Sequence, residues 1–245
     1  PQSVSVVNQE DIDAEQATTI GDVLNELPGV KAVGSDRVLG ESFNIRGIGT
    51  LGASDESRII VQVDGATKFH EQYRMGSLFS DPELYKQIEV LRGPASSTLY
   101  GSGALAGVIS LTTKDASDYL KGDDDFAFRE KLEFHDNREG FMTSSILAYK
   151  PVEGVEVLGS FNYRRSRDFN DGSGAGISGS AFDAPNGLIK VRSTFGDDKE
   201  HSVRASYQHW ETQQNGQDLS QTGTSSFGDI DREVTDQTMV FTYDY

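Results

Sequence analysis

The stretch His70-Glu71-Gln72-Tyr73-Arg74 begins the way a zinc-protease helix does. That chemistry needs two histidines one helical turn apart to hold zinc, with a glutamate between them as base. Arg74 stands where the second histidine belongs, so the pair is broken. Residues 101–107, GSGALAG, have the spacing GxGxxxG. A dinucleotide site needs GxGxxG directly after a strand and opening a long helix, so that amides can face the pyrophosphate. Neither GxxxxGK[ST] nor the GxSxG elbow of a serine nucleophile occurs, and DFNDG at 168–172 lacks EF-hand spacing. There are four histidines, His201 and His209 among those in the second half. No nucleophile–base constellation assembles from them, and the chain reads as no enzyme.

The totals narrow the class further. Across 245 residues, 36% are hydrophobic and the formal net charge is −17, with carboxylates spread along the chain. That balance repels phosphate and argues against a nucleic-acid partner. Cysteine is absent, which excludes disulfides and cysteine-based zinc sites. The chain starts at Pro1 without a signal peptide, so a processed chain or a fragment is expected. No apolar run approaches the ~18 residues of a membrane-spanning helix. A transmembrane β-barrel needs no such run, only alternating segments of about 10 residues between turns.

The elements that must position any site fall into two grammars. Residues 1–115 read as mixed α and β. Thr19-Ile20-Gly21-Asp22 forms a capping box, and Ile20, Val23, Leu24 and Leu27 make one apolar helical face that Pro28-Gly29 ends. Phe43–Arg46 and Arg58–Asp64 read as strands, the second closing on the Asp64-Gly65 turn signal. Asp81-Pro82-Glu83 opens a short helix with proline at its first position, and the strand Ile88–Leu91 follows. A second strand-like run, Val108–Thr113, lies beyond a small-residue stretch punctuated by Gly93, Gly101, Gly103 and Gly107.

Residues 114–125, KDASDYLKGDDD, read as a charged connector. Beyond it, in residues 116–245, the period becomes two. Phe126, Phe128, Leu132 and Phe134 oppose Ala127, Arg129, Lys131 and Glu133, and five further segments alternate likewise, so about six strands are expected. The links at 150–154 and 196–200 are tight. Those at 168–186 and about 212–231 are long and polar, while 135–139 is short where a long loop is wanted. Short turns on one side and long loops on the other suit an outer-membrane barrel. A soluble β-sandwich is the alternative, since it too alternates. Six strands cannot close a barrel, and MVFTYDY ends mid-pattern, so a truncated barrel is expected.

The first half resembles the plug domain of TonB-dependent outer-membrane receptors. PQSVSVVNQEDI, TTIGDVLNELPGV, FNIRGIGT, IIVQVDG and IEVLRGPASSTLYGSGALAGVISLTTK stand in that family's order and near its spacing. The resemblance implies an α+β plug domain followed by the N-terminal strands of a transmembrane antiparallel β-barrel, here incomplete. It implies a location in the bacterial outer membrane, and a TonB box that would precede Pro1. TonB, with its inner-membrane energising complex, would be the partner that opens the plug. The small-residue stretch then has a use, because glycine lets a loop turn sharply against a polar barrel wall. Arg46, Gly47, Arg92 and Gly93 match family positions that pack against acidic residues of that wall. The plain alternative is that both arginines are solvated strand ends.

Within the family, SLFSDPELYKQIEVLRGPASSTLYGSGALAGVI is most similar to the haem and haemoprotein receptors, with Ala106 where that branch has glycine. The branch implies a plug-loop histidine and a barrel-loop histidine on haem iron. In the apical loop GATKFHEQYRMGS, residues 65–77, the sole histidine is His70, a few positions earlier than the family's, which falls near Arg74. A neutral imidazole suits iron, and Tyr73 offers a phenolate instead. A solvated loop histidine beside Glu71 is the other reading. Phe69, Met75, Leu78 and Phe79 offer a planar ligand an apolar bed, or pack within the plug. Ferric-siderophore import is the second reading, in which Lys68, Arg74 and Arg58 attract an anionic ligand. Cobalamin or glycan import is a third, and a soluble signalling or adhesion module on a β-sandwich stalk is a reading from another class. No intrinsic cofactor is expected. The haem iron or siderophore would be cargo, and lipid with lipopolysaccharide the surroundings.

Overall fold

The structure, a computed structural model, describes residues 3–33, 40–48, 58–68, 78–94, 100, 104–137, 139–168, 170–218 and 228–245. It forms two compact units, Pro1–Thr113 with Gly216–Ile230, and Lys114–Asn215 with Asp231–Tyr245.

In the first unit the order is β1 (Ser3–Asn8), α1 (Gln9–Glu15), α2 (Ile20–Asn25), β2 (Val30–Val33), β3 (Ser42–Ile45), β4 (Ile59–Val63), β5 (Ala66–Lys68), β6 (Tyr85–Arg92) and β7 (Gly107–Thr113). Five strands make one sheet in the order β1-β6-β7-β4-β5, with β4 and β7 parallel and the other pairs antiparallel, while β2 and β3 pair separately. Every residue of β4 is buried, as expected of a strand covered on both faces. Ile88, Val90, Ile109 and Leu111 form the centre of the core with Ile20 and Leu24.

Local chemistry explains the element ends. The Thr19 hydroxyl accepts from the Asp22 amide at 3.2 Å, and the Asp22 carboxylate accepts from the amides of Thr18 and Thr19, both at 3.0 Å. Asp64 and Gly65 take φ 48° and 86°, so β4 and β5 form a two-residue hairpin. At Gly107 any side chain is barred: a Cβ there would lie 2.1 Å from the Leu91 carbonyl oxygen across the β6–β7 pair. The Asp81-Pro82 start is a single 3-10 turn, Pro82–Leu84, rather than an α-helix.

The second unit is a six-stranded antiparallel meander: β8 (Phe126–His135), β9 (Gly140–Val152), β10 (Val155–Ser166), β11 (Phe182–Phe195), β12 (His201–Asp218) and β13 (Asp229–Asp244). Two stretches expected as loop are strand. Phe182–Asn186 begins β11, and 212–218 with 229–231 extend β12 and β13. Polar and turn-favouring residues such as Asp183, Pro185, Gln213 and Gln214 disguised them, because the sheet's buried face mixes polar side chains with apolar ones such as Met142, Leu158, Phe182, Leu188 and Trp210. Ser144, Asn162, Asn186, Gln208, Gln214 and Arg232 are buried, while Phe128, Phe134, Phe161, Ile189, Met239 and Phe241 are exposed. A soluble sandwich would bury the apolar face. The inverted arrangement suits a wall with lipid outside and a polar interior, and it removes the sandwich alternative. Some of the buried charge is paired, as where Lys190 Nζ lies 2.8 Å from Asp115 Oδ1.

Candidate functional site

The segment expected from sequence to be the apical loop is flanked by two anchored ends. At the first, the β4–β5 hairpin delivers Lys68, half-buried and opposite Val61. The hairpin's turn is pinned to the end of β7. Asp64 accepts from the Thr113 amide at 2.9 Å and from its hydroxyl at 2.5 Å, and the Asp64 amide donates to the Leu111 carbonyl at 2.9 Å. At the second end Leu78 exchanges backbone hydrogen bonds with Glu41, at 2.9 and 3.1 Å. His70, Tyr73 and Arg74 lie outside the described residues, as do Phe69, Glu71 and Met75. Leu78 and Phe79 are buried, so they pack within this unit rather than offering a ligand surface. Arg58 is exposed, its carbonyl accepting from the Ala106 amide at 2.9 Å.

Glu41 was not singled out in the sequence. Its carboxylate is buried and accepts from the Gly21 amide at 2.6 Å, with the Thr19 hydroxyl and the Ile20 amide also donating. Burial, aided by the nearby Asp22 charge, pushes its pKa up to about 8 against these hydrogen bonds. One residue therefore holds the base of the apical segment by its backbone and the start of α2 by its side chain. The available signal was an acid followed by the strand Ser42–Ile45, whose residues are all buried.

The family-matched arginines differ in setting. Arg46 is exposed and sits at φ 52°, its amide donating to the Gly29 carbonyl at 2.8 Å. Gly47 follows at φ 83°, with its amide on Asn44 Oδ1 at 3.0 Å. Arg92 is buried, and its guanidinium donates to the hydroxyls of Ser3 at 3.3 Å and Ser5 at 2.9 Å on β1. Gly93 donates to the Ala106 carbonyl at 2.8 Å. Burial first, then the neighbouring Arg46 charge, lowers the pKa of Arg92. Arg46 and Arg92 thus form a cationic pair on this unit.

On the polar face of the meander, Glu133 gathers Lys131 at 2.7 Å, Arg164 at 3.6 Å and His135 at 3.8 Å. His135 closes β8 and was not picked out from sequence either. Among the described residues no three His, Asp or Glu side chains come together as a metal site. What the described residues supply is two anchored ends on either side of residues 69–77, and a charged cluster on the meander.

Comparison with known proteins names the family. Residues 1–108 match the TonB-dependent Receptor Plug Domain family. The TonB-dependent heme receptor A of Haemophilus ducreyi is 34% identical over 188 residues, covering 76% of this chain and 25% of that protein. Among solved structures, the FrpB iron transporter of Neisseria meningitidis (F3-3 variant) superposes with TM-score 0.82 at 24% identity, over 99% of this chain and 37% of that one. A double mutant of the Serratia marcescens hemophore receptor HasR, solved with its hemophore HasA and heme, gives TM-score 0.71 at 25% identity, over 88% and 32%. The chain spans about a quarter of the curated relative's length and about a third of these solved structures. It belongs to the TonB-dependent outer-membrane receptors, as a plug domain with part of the barrel, and is most like their haem branch.

Proposed function

We propose that the whole receptor sits in the bacterial outer membrane and imports haem, taken free or from a haemoprotein, with energy supplied through TonB. The observation that carries this reading is the 34% identity to a heme receptor over three quarters of this chain. Ligand arrives on the outer side at the loop between Lys68 and Leu78. His70 binds the haem iron, with Tyr73 as the alternative donor, and Lys68 and Arg74 attract the propionates. For the ligand to signal, it must bind the TonB-accessible state of the plug more tightly than the resting state. Arg46, Gly47, Arg92 and Gly93 meet acidic groups of the barrel wall in this reading. Support comes from the cationic pair itself, because a carboxylate placed there relieves the repulsion between Arg46 and Arg92.

The test is a hemin titration of the full-length receptor in detergent, followed by its Soret band, beside His70→Ala. A saturable shift abolished by the substitution supports haem import with His70 on the iron. A shift that survives keeps haem and removes His70 as an essential ligand. With no saturable binding by wild type the haem reading fails, and ferric siderophores become the next ligands to titrate.

A further inference from the structure

The exposed face of the meander carries a groove of about 280 Å³ between β10, β11 and β12. Its floor is Gly187, directly opposite Phe161 on one side and His209 on the other. The floor cannot be filled from within, because a Cβ at Gly187 would come 2.7 Å from the Ser160 carbonyl oxygen. Phe161, Ile189 and Tyr207 form the walls. One end is polar: His209 Nε2 lies 3.4 Å from Glu211 Oε2, and His209 Nδ1 lies 3.4 Å from Gln237 Nε2. Away from that end, on the same face, lie the exposed side chains Val191, Met239 and Phe241.

Depth follows from strand length. A tilted barrel strand crosses the hydrocarbon in about 9–11 residues, and the short turns of such barrels lie on the periplasmic side. The short turn at 196–200 precedes His201, so His209 and Glu211 reach the outer boundary of the membrane. The groove is then apolar along the outer leaflet and polar at its surface.

We propose that this groove seats one acyl chain of an outer-leaflet glycolipid, with His209 and Glu211 against its sugar. The inference rests on the outer-membrane reading above. An amphiphile is the ligand whose own polarity gradient matches the groove's. The headgroup chemistry selects among amphiphiles. The Glu211 carboxylate accepts hydrogen bonds, and the phosphodiester that a phospholipid places beside its chains has only acceptors to offer it. An acylated amino sugar places amide N–H and hydroxyl donors there instead.

The experiment extracts the full-length receptor from native outer membranes in mild detergent, and reads bound lipid by native mass spectrometry. Ile189→Trp fills the groove. Val191→Trp adds the same bulk to the same strand and face outside it. Lipid A retention about tenfold lower in Ile189→Trp and unchanged in Val191→Trp is the expected result. Equal retention in both variants, loss in both, no lipid A on the wild type, or phospholipid in its place overturns the proposal. Hemin titration of the same samples separates the two readings: loss of hemin binding with lipid retention intact refutes haem transport and leaves the groove standing.

Discussion

Glu41 makes a quantitative prediction. Its carboxyl has a pKa near 8 in the closed plug, against an ordinary value of 4.5 when the surrounding segment opens. The closed state therefore holds the proton more tightly than the open one. Its contribution to stability is complete below about pH 4.5 and is lost as pH rises toward 8. Between pH 5 and pH 7.5 the loss comes to about 3 kcal/mol, from about 1.4 kcal/mol per unit of pKa difference. The groups facing Glu41 set the sign: burial and the Asp22 carboxylate raise its pKa, while the amides of Gly21 and Ile20 and the Thr19 hydroxyl act against them. Glu41→Gln keeps an acceptor for Gly21 and removes the titration. Hydrogen exchange at the amides of residues 20–24, corrected for intrinsic rates, reads the opening free energy in the full-length receptor. Wild type should lose about 3 kcal/mol of protection over that pH range and Glu41→Gln almost none. Parallel profiles for the two proteins would refute the reasoning. Glu41→Ala should instead cost about 1–3 kcal/mol at every pH above 8, because it leaves the buried Gly21 amide without its acceptor.

Gly107→Ala should open the plug sheet, since the added Cβ meets backbone rather than a movable side chain. Exchange protection at Val108–Leu111 should fall by more than about 3 kcal/mol, the range of severe backbone and packing clashes, and unchanged protection would contradict the β6–β7 approach. Leu147 lies on the exposed apolar face near the middle of β9. Leu147→Lys should cost about 2–4 kcal/mol of folding into lipid, read as a lower temperature for the heat-dependent gel shift, whereas Leu147→Phe should leave that temperature unchanged.

Much of the fold was legible because its signals are local. The Thr19–Asp22 capping box satisfies its own amides within four residues, and the Asp64-Gly65 turn is set by two adjacent residues that tolerate positive φ, so the sequence alone determined them. Alternation alone likewise determined that residues from Phe126 onward form strands. It did not say which side of the wall faces what. The stretches at 182–186 and 212–218 read as loop because composition cannot tell a solvated turn from a strand that buries polar side chains such as Asn186 and Gln214. Only the tertiary structure decided that face, by burying Asn186 and Gln214 and exposing Ile189 and Phe241. The same holds for single residues. Glu41 acts on Gly21, 20 positions away, and Gly107 is required by a carbonyl on a strand that ended 15 residues earlier. Gly187 makes a groove only because Phe161 and His209 arrive on either side of it. Capping and turn formation draw on atoms a few bonds apart, which spacing records. Burial, pKa and cavity shape draw on atoms brought together by chain closure, and a list of residues does not record which ones meet.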